Sequence, residues 1–238
     1  MSDCLTPPKL ELLNTFLPFR PVCTVPLEMA VQNNSSPNEA GKLITKRFLF
    51  SAASISTLKA KARSAQIPNP TRAEVVSGLL WKCAMNTSKP SILSNAVNIR
   101  PRLEAPLPDY SIGNIFLNAI ANYDPIRSNH DLLPLLVSLL RKSVDGINSK
   151  NLQKFQGEEG FEEIRKLHEK HREMFSCCSS CKPVVYMVTA VSRMGFYEVD
   201  FGWRKPIWVA WASINETFSE NLILQLGNRT GDGIDQRG

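Results

Sequence analysis

The fold depends most on residues 184–191, which read Val-Val-Tyr-Met-Val-Thr-Ala-Val. β-Branched residues dominate this stretch, and it contains no charge, no glycine and no proline. A short uninterrupted apolar run of this composition is typical of a strand that is buried in a sheet. The stretch therefore predicts a central β-strand, and a helix at this position would overturn the fold assignment.

Helical and strand patterns alternate on both sides of this stretch. Ser54 and Thr71 are candidate helix N-caps, and Glu74 completes a capping-box pattern with Thr71. Two more amphipathic helices are predicted over residues 131–144 and 161–175. Further strands are predicted at residues 46–50, 96–99, 115–121, 206–214 and 222–226. This order, without an internal repeat, predicts an α/β or α+β fold in which helices flank a mixed sheet.

The composition excludes several classes of protein. With 238 residues, 43% of them hydrophobic and 21% charged, the chain is neither disordered nor fibrous. No apolar run reaches the ~20 residues of a membrane helix, and no secretory signal is visible, so we expect a cytoplasmic, monomeric protein without a membrane partner. The net charge is +6. The basic residues of 162–173 are interleaved with glutamates, which favours a solvated helix face over a nucleic-acid partner.

The histidines and cysteines are the candidate metal ligands and catalytic groups of this sequence. His168 and His171 are three residues apart on a predicted helix, and no carboxylate at helical spacing completes a metal site with them. A Cys-x-x-Cys pattern spans residues 178–181, without a second ligand pair at a defined spacing. We therefore expect no metal and no bound cofactor, with zinc or redox chemistry as the less favoured interpretation.

Residues 200–206, Asp-Phe-Gly-Trp-Arg-Lys-Pro, are the most distinctive motif. They resemble the D-F-G-W-G-K-P signature of the plant BAHD acyltransferases, with Arg204 in place of glycine. Other segments are similar to the same family in the same order: Asn69–Glu74, Leu80–Cys83, Asn98–Arg102, Gly113–Asn114 and Gly231–Ile234. The resemblance is nearest to the vinorine synthase-like branch, and it implies the second domain of the chloramphenicol acetyltransferase-like fold.

The resemblance also implies a chemistry and a set of residues. The family transfers an acyl group from acyl-coenzyme A, a co-substrate, to a hydroxyl or amine of a small-molecule acceptor, such as a plant alkaloid. By similarity, Thr189 is a candidate oxyanion contact, and Val191 stands where the family has tryptophan. Arg100 and Lys205 are candidate contacts with the coenzyme A phosphates. The motif residues Asp200, Phe201, Gly202, Trp203, Lys205 and Pro206 are expected to be structural, with Arg100 as the proposed partner of a buried Asp200.

The family base is missing from the sequence. The family uses the histidine of an H-x-x-x-D motif, and none of His130, His168 and His171 has an aspartate four residues later. We expect residues 1–41 to be a remnant of the first domain, and residues 42–238 to be an acyltransferase domain that is incomplete at its C-terminus. Two hypotheses follow: an acyltransferase by family that is inactive without this base, or a non-catalytic remnant that acts only as a binding or interaction domain.

Overall fold

The computed structural model describes residues 44–104, 107, 111, 113–125, 131–176, 183–210, 221–230 and 233–237. Six strands are described: β1 (Arg47–Phe50), β2 (Ser91–Asn98), β3 (Phe116–Tyr123), β4 (Val184–Ala190), β5 (Leu222–Gly227) and β6 (Ile234–Arg237). The helices are α1 (Ala52–Ala62), α2 (Arg72–Ala84), α3 (Leu132–Asp145), α4 (Ser149–Leu152) and α5 (Gly157–Ser176). Short 3₁₀ turns cover Arg100–Arg102, Gln153–Phe155 and Phe196–Glu198.

The six strands form one mixed sheet in the order β1-β6-β5-β4-β2-β3. The central strands β2, β4 and β5 are parallel to one another, and β3 pairs with β2 in the antiparallel direction. At the other side, β6 is antiparallel to β5 and β1 is antiparallel to β6. The predicted mixed α/β sheet with flanking helices, and the predicted strand at residues 184–191, are confirmed.

Helices α2 and α3 cover one face of this sheet. Trp81 of α2 and Leu136 of α3 are fully buried in the main core, where they pack with Leu93, Tyr186 and Val188 of the central strands. Burying such large apolar side chains stabilises a fold by roughly 1.5–3 kcal/mol each. Side chains alternate between the two faces of a strand, so the residues between these core positions face the opposite side.

The N-terminus of α2 is the clearest case of local sequence determining local structure. The Thr71 side chain accepts a hydrogen bond from the Glu74 amide, and the Glu74 carboxylate accepts one from the Thr71 amide, at 3.3 and 2.7 Å. This is the predicted capping box. The Glu74 carboxylate also accepts both arms of the Arg141 guanidinium, with 2.6 Å between Oε2 and Nη2. The same carboxylate therefore caps α2 and ties it to α3.

Two predictions about the elements need correction. Ser51, not Ser54, is the N-cap of α1, because its hydroxyl accepts the Ser54 amide one turn into the helix. Residues 206–210 are not a strand, and residues 211–214 lie outside the described residues. Pro206 explains part of this, since proline cannot donate to a strand ladder. Residues 1–41, predicted as a remnant of another domain, also lie outside the described residues.

Candidate active site

The candidate site lies where the three parallel strands end. The carboxyl ends of β2, β4 and β5 are at Asn98, Ala190 and Gly227, and they lie side by side along one end of the strands. In sheets of this kind, ligands bind outside the carboxyl ends of the parallel strands. The neighbourhood is tight: a Cβ atom on Gly227 would lie 2.7 Å from the carbonyl oxygen of Ser192, so only glycine fits there.

Thr189 is the candidate catalytic contact near these carboxyl ends. It pairs with Ala96 of β2 and Leu224 of β5, directly after the core residue Val188. Because of the alternation along β4, its side chain lies on the face opposite α2 and α3. Thr189 is half-buried, and its hydroxyl has no hydrogen-bond partner among the described residues. Within the described part of the chain, nothing competes with a ligand for this hydroxyl.

Val191 follows Thr189 and is buried with two residues of β5. Its exposed fraction is 8%, and it clusters with Leu224 and Leu226 on the same face of the sheet as Thr189. An apolar patch therefore stands where the family places a tryptophan. This position can pack against a ligand but cannot donate a hydrogen bond to one.

Arg100 holds the loop that follows β2. Its Nη2 donates to the Gly113 carbonyl at 2.7 Å and to the Ser111 carbonyl at 3.1 Å, and its Nε donates to Ser111 at 3.2 Å. Its Nη1 donates to the Ile115 carbonyl and to the Asn98 side chain, at 3.4 and 3.3 Å. All five guanidinium N–H groups therefore have oxygen partners. The predicted contact of Arg100 with coenzyme A stays a prediction, and it would compete with these bonds.

Arg102, two residues later, reaches a different element. Its Nη1 donates to the carbonyls of Val144 and Ile147 at 3.1 and 2.8 Å, at the C-terminal end of α3. A cation at this end of a helix satisfies free carbonyls and interacts favourably with the helix dipole. The segment 98–102 thus fastens the post-β2 loop with one arginine and α3 with the other.

The signature motif forms a turn that is organised by its own aspartate. The Asp200 Oδ1 atom accepts the amides of Gly202 and Arg204 at 2.8 and 3.0 Å. The prediction that Asp200 is buried against Arg100 is wrong: Asp200 is exposed, and backbone amides of its own turn satisfy its carboxylate. Gly202 has a φ of +97° and Arg204 a φ of +105°, so two residues of the turn lie in backbone space that favours glycine.

The rest of the motif is exposed. Trp203 and Phe201 are 77% and 73% exposed, and their ring centroids are 5.9 Å apart. Lys205 forms an ion pair with Glu198, and both side chains reach solvent. Pro206 is half-buried. The predicted coenzyme A contact of Lys205 and the predicted structural role of the motif stay predictions.

The two described histidines lie away from Thr189. His168 and His171 are on α5, which runs beside the edge strand β3, whereas Thr189 is on β4 in the interior of the sheet. Burial lowers the pKa of His171, and the charges of His168 and Lys170 lower it further. His130 and the cysteines of residues 177–181 lie outside the described residues.

Sequence reasoning missed the buried polar residue of β5. Gln225 is fully buried, and its Nε2 donates to the Ser77 hydroxyl at 2.7 Å and to the Ala73 carbonyl at 3.4 Å. It ties β5 to α2 on the helix-covered face. A glutamine inside the apolar run 222–226 was the available signal, because a buried amide requires partners.

No group of three or more histidine, cysteine or acidic side chains in the described ranges is arranged to hold a metal ion. Among the helices of those ranges, none combines the length and apolar character that crossing a membrane requires.

Comparison with known proteins identifies the family. The model of the Transferase family matches residues 11–235. A limonoid 7-O-acetyltransferase of Citrus sinensis is 36% identical over 208 residues, which cover 82% of this chain and 44% of that protein. The chain is a member of the BAHD acyltransferase family. The family resemblance drawn from the motifs is thereby confirmed.

Solved structures of related proteins agree with this BAHD fold. Vinorine synthase is 27% identical, with a TM-score of 0.61 over 83% of this chain and 44% of its own. TRI101 of F. graminearum, complexed with coenzyme A and T-2 mycotoxin, has a TM-score of 0.63 at 17% identity and covers 97% of this chain and 54% of its own. The latter likeness shows the fold alone. The BAHD chain spans about half the length of the curated relatives it matches.

Proposed function

We propose that this chain supplies one wall of an acyl-transfer site, in which acyl-coenzyme A donates its acyl group to a hydroxyl or amine of a plant specialised metabolite such as an alkaloid. The observation that carries the proposal is Thr189, a half-buried threonine near the carboxyl ends of three parallel strands, whose hydroxyl has no hydrogen-bond partner in the described ranges. Family membership supports acyl transfer as the reaction. The same membership supports acyl-coenzyme A as the donor, and the O-acetyltransferase name of the Citrus relative supports a hydroxyl as the acceptor.

The reaction defines what Thr189 would do. Attack of the acceptor on the thioester carbonyl produces a tetrahedral intermediate with a negatively charged oxygen, and collapse of the intermediate expels the coenzyme A thiolate. A preorganised hydroxyl that donates to this oxygen stabilises the transition state, and the loss of one such donor costs roughly 10²–10³ in rate. A base must also remove the proton of the acceptor. We propose that the chain as given does not turn over, because its sequence contains no H-x-x-x-D motif.

We also propose the division at residue 42, a first-domain remnant before it and the acyltransferase domain after it, as well as a cytoplasmic, monomeric state.

Lys205 and Arg100 remain proposed contacts for the coenzyme A phosphates. The two differ in their present bonds: Lys205 has one exposed ion pair, whereas all the donors of Arg100 are engaged. Isothermal titration of coenzyme A into Lys205→Gln and Arg100→Gln tests both, with Lys82→Gln as a control. We expect a weaker affinity for Lys205→Gln, and unchanged affinity in both variants would contradict the assignment.

The test of the acyl-transfer proposal uses a fusion. The front half of a BAHD family member that carries the family's H-x-x-x-D motif, such as the Citrus limonoid 7-O-acetyltransferase if its sequence contains it, is joined ahead of residue 42, and thiol release from acetyl-coenzyme A is followed. In the active fusion, Thr189→Val should lower kcat about 10²-fold or more, while Thr189→Ser should retain most of it. Thr57→Val, at an exposed position of helix α1, controls for loss of a hydroxyl elsewhere. Equal kcat for Thr189→Val and Thr189→Ser would refute the role of the hydroxyl.

A second function, that of a non-catalytic interaction domain, is favoured by one observation. The segment after β4 exposes several large apolar side chains, with exposed fractions between 55% and 81%: Phe201, Trp203, Ile207 and Trp208. Exposed apolar patches of this kind mark interaction sites. An active fusion that loses activity in Thr189→Val would decide for catalysis.

A further inference from the structure

The register of β3 leaves part of its backbone without partners. The amide of Ile99 donates to the carbonyl of Ile115, directly beyond the Asn98–Phe116 pair of β2 and β3. This bond shows that residues 115, 117, 119, 121 and 123 direct their N–H and C=O groups towards β2. Because hydrogen-bonded and non-bonded pairs alternate in antiparallel strands, Asn118, Ile120 and Asn122 direct their N–H and C=O groups away from β2. No backbone or side-chain group among the described residues bonds to them, and β3 is the last of the described strands on this side of the sheet.

A groove runs along this free edge. Helix α5 forms its other wall, with Leu167, Lys170, His171 and Met174 at positions i, i+3, i+4 and i+7, a spacing that places them on one helix face. The cavity between helix and strand has a volume of about 650 Å³. Three apolar residues of its lining, Ile147, Leu152 and Phe155, come from the segment between α3 and α5, and we call these three the floor. The groove therefore combines unpaired strand donors and acceptors with an apolar floor.

The charge of the groove is positive. Its lining contains Lys154, Lys166 and Lys170 against one carboxylate, Glu163, which is paired with Lys166 at 2.7 Å. Lys154 and Lys170 have no ion-pair partner among the described residues. Burial lowers the pKa of His171, and the charges of His168 and Lys170 lower it further, which disfavours an additional positive charge at this residue.

We propose that this groove binds an extended, acidic peptide segment, which pairs with β3 as a seventh strand of the sheet. Strand addition to an exposed edge uses main-chain hydrogen bonds for affinity and pockets for alternate side chains for specificity. Here, alternate apolar side chains of the peptide occupy the floor, and its carboxylates face Lys154 and Lys170. The site is separate from Thr189, and the proposal does not rest on the proposed acyl transfer.

The test uses the full chain and a fluorescein-labelled octapeptide in which glutamate alternates with valine. Binding of the peptide is measured by fluorescence anisotropy. Only one edge of a bound strand pairs with β3. Two peptides with N-methyl groups on alternate sets of amides therefore test strand pairing directly. The peptide that is methylated on the amides facing away from β3 should bind like the parent, and the peptide that is methylated on the amides facing β3 should lose binding. A peptide with lysine in place of glutamate controls for charge.

Chain variants give an independent reading of the same site. Ile120→Pro removes one outward N–H, a change that an edge strand tolerates, and should raise the Kd about tenfold while the circular dichroism spectrum is retained. Lys154→Gln with Lys170→Gln should raise the Kd at least threefold, and Lys82→Gln with Lys89→Gln should leave it unchanged. Equal binding of both N-methylated peptides would overturn strand pairing. Displacement of the peptides by dodecanoate, together with full peptide affinity in the Ile120→Pro variant, would also overturn it and would indicate a small amphipathic anion as the ligand. Absence of saturable binding to the unmodified chain would also overturn it.

Discussion

Replacing Arg204 by glycine should stabilise the turn of the signature motif. Arg204 is an exposed, non-glycine residue with a φ of +105°, in a position where the BAHD family has glycine. Holding such a residue in this backbone region costs about 1–3 kcal/mol. Glycine removes this cost but adds unfolded-state entropy worth about 0.4–1 kcal/mol. The side chain makes no other interaction with the described residues, so we expect a net gain of about 0.5–2 kcal/mol for Arg204→Gly.

The assay is native-state hydrogen exchange at the Gly202 amide, which donates to Asp200 within this turn. A local gain of about 0.5–2 kcal/mol slows exchange roughly 2- to 30-fold, because each 1.4 kcal/mol corresponds to a factor of ten. Arg204→Ala is the matched control: it removes the same side chain but keeps the Cβ atom and the strain, so exchange should stay near that of the unmodified chain. Arg193→Gly, in the exposed turn after β4, should accelerate exchange or leave it unchanged.

Equal exchange rates in Arg204→Gly and Arg204→Ala would refute the strain argument. So would faster exchange in Arg204→Gly than in the unmodified chain, since that would mean that the entropy of glycine outweighs the relief of φ. Global unfolding in urea is measured in parallel, so that a local effect can be separated from a change in overall stability.

Three further predictions concern stability and solubility. Burial raises the pKa of Glu74, but the hydrogen bonds from Arg141 and Thr71 lower it by more, so that the net pKa lies below the usual range. The stabilising contribution of Glu74 is therefore present above the ordinary glutamate pKa, and it is lost as the pH falls through the depressed pKa. Glu74→Gln should lower the urea unfolding free energy at pH 7 by about 1–3 kcal/mol, with a difference that shrinks towards pH 3; a constant difference would contradict this. Arg102→Ala, which frees the carbonyls at the end of α3, should lower the Tm by several degrees, whereas Arg63→Ala should not. The exposed side chains of residues 201–208 should make the isolated chain bind a hydrophobic dye or aggregate, and a sharp, dye-free melt of a monomer would argue against it.

Features that depend on neighbouring residues were predictable from the sequence. The strand at residues 184–190 follows from its β-branched composition, and the capping box follows from Thr71 and Glu74 three residues apart. The start of α1 was predicted three residues too late, at Ser54, because any serine near a helix start can cap it, and the structure uses Ser51. The glycine requirement at Arg204 was visible only through the family motif, and the φ value gives its physical reason.

Features that depend on distant residues were not predictable. The three carbonyl partners of the Arg100 guanidinium lie 11 to 15 residues further along the chain, and no periodicity indicates that they converge on one side chain. The groove beside β3 forms between β3 and α5, elements that are far apart in the sequence, and it depends on strand order and register. Residues 206–210 have strand-like side chains but no described strand to pair with, so composition alone was misleading there.

The central claim is that this chain carries one wall of an acyl-transfer site and not the base. The most direct measurement compares thiol release from acetyl-coenzyme A, across a panel of alcohols, for the chain as given and for the fusion with the H-x-x-x-D half. The base contributes about 10²–10⁴ in rate, and substrate orientation contributes up to ~7–11 kcal/mol. We predict no detectable release by the chain alone and turnover by the fusion. Turnover by the chain alone that is abolished by His130→Ala, His168→Ala or His171→Ala would contradict the account, because another histidine would then serve as the base.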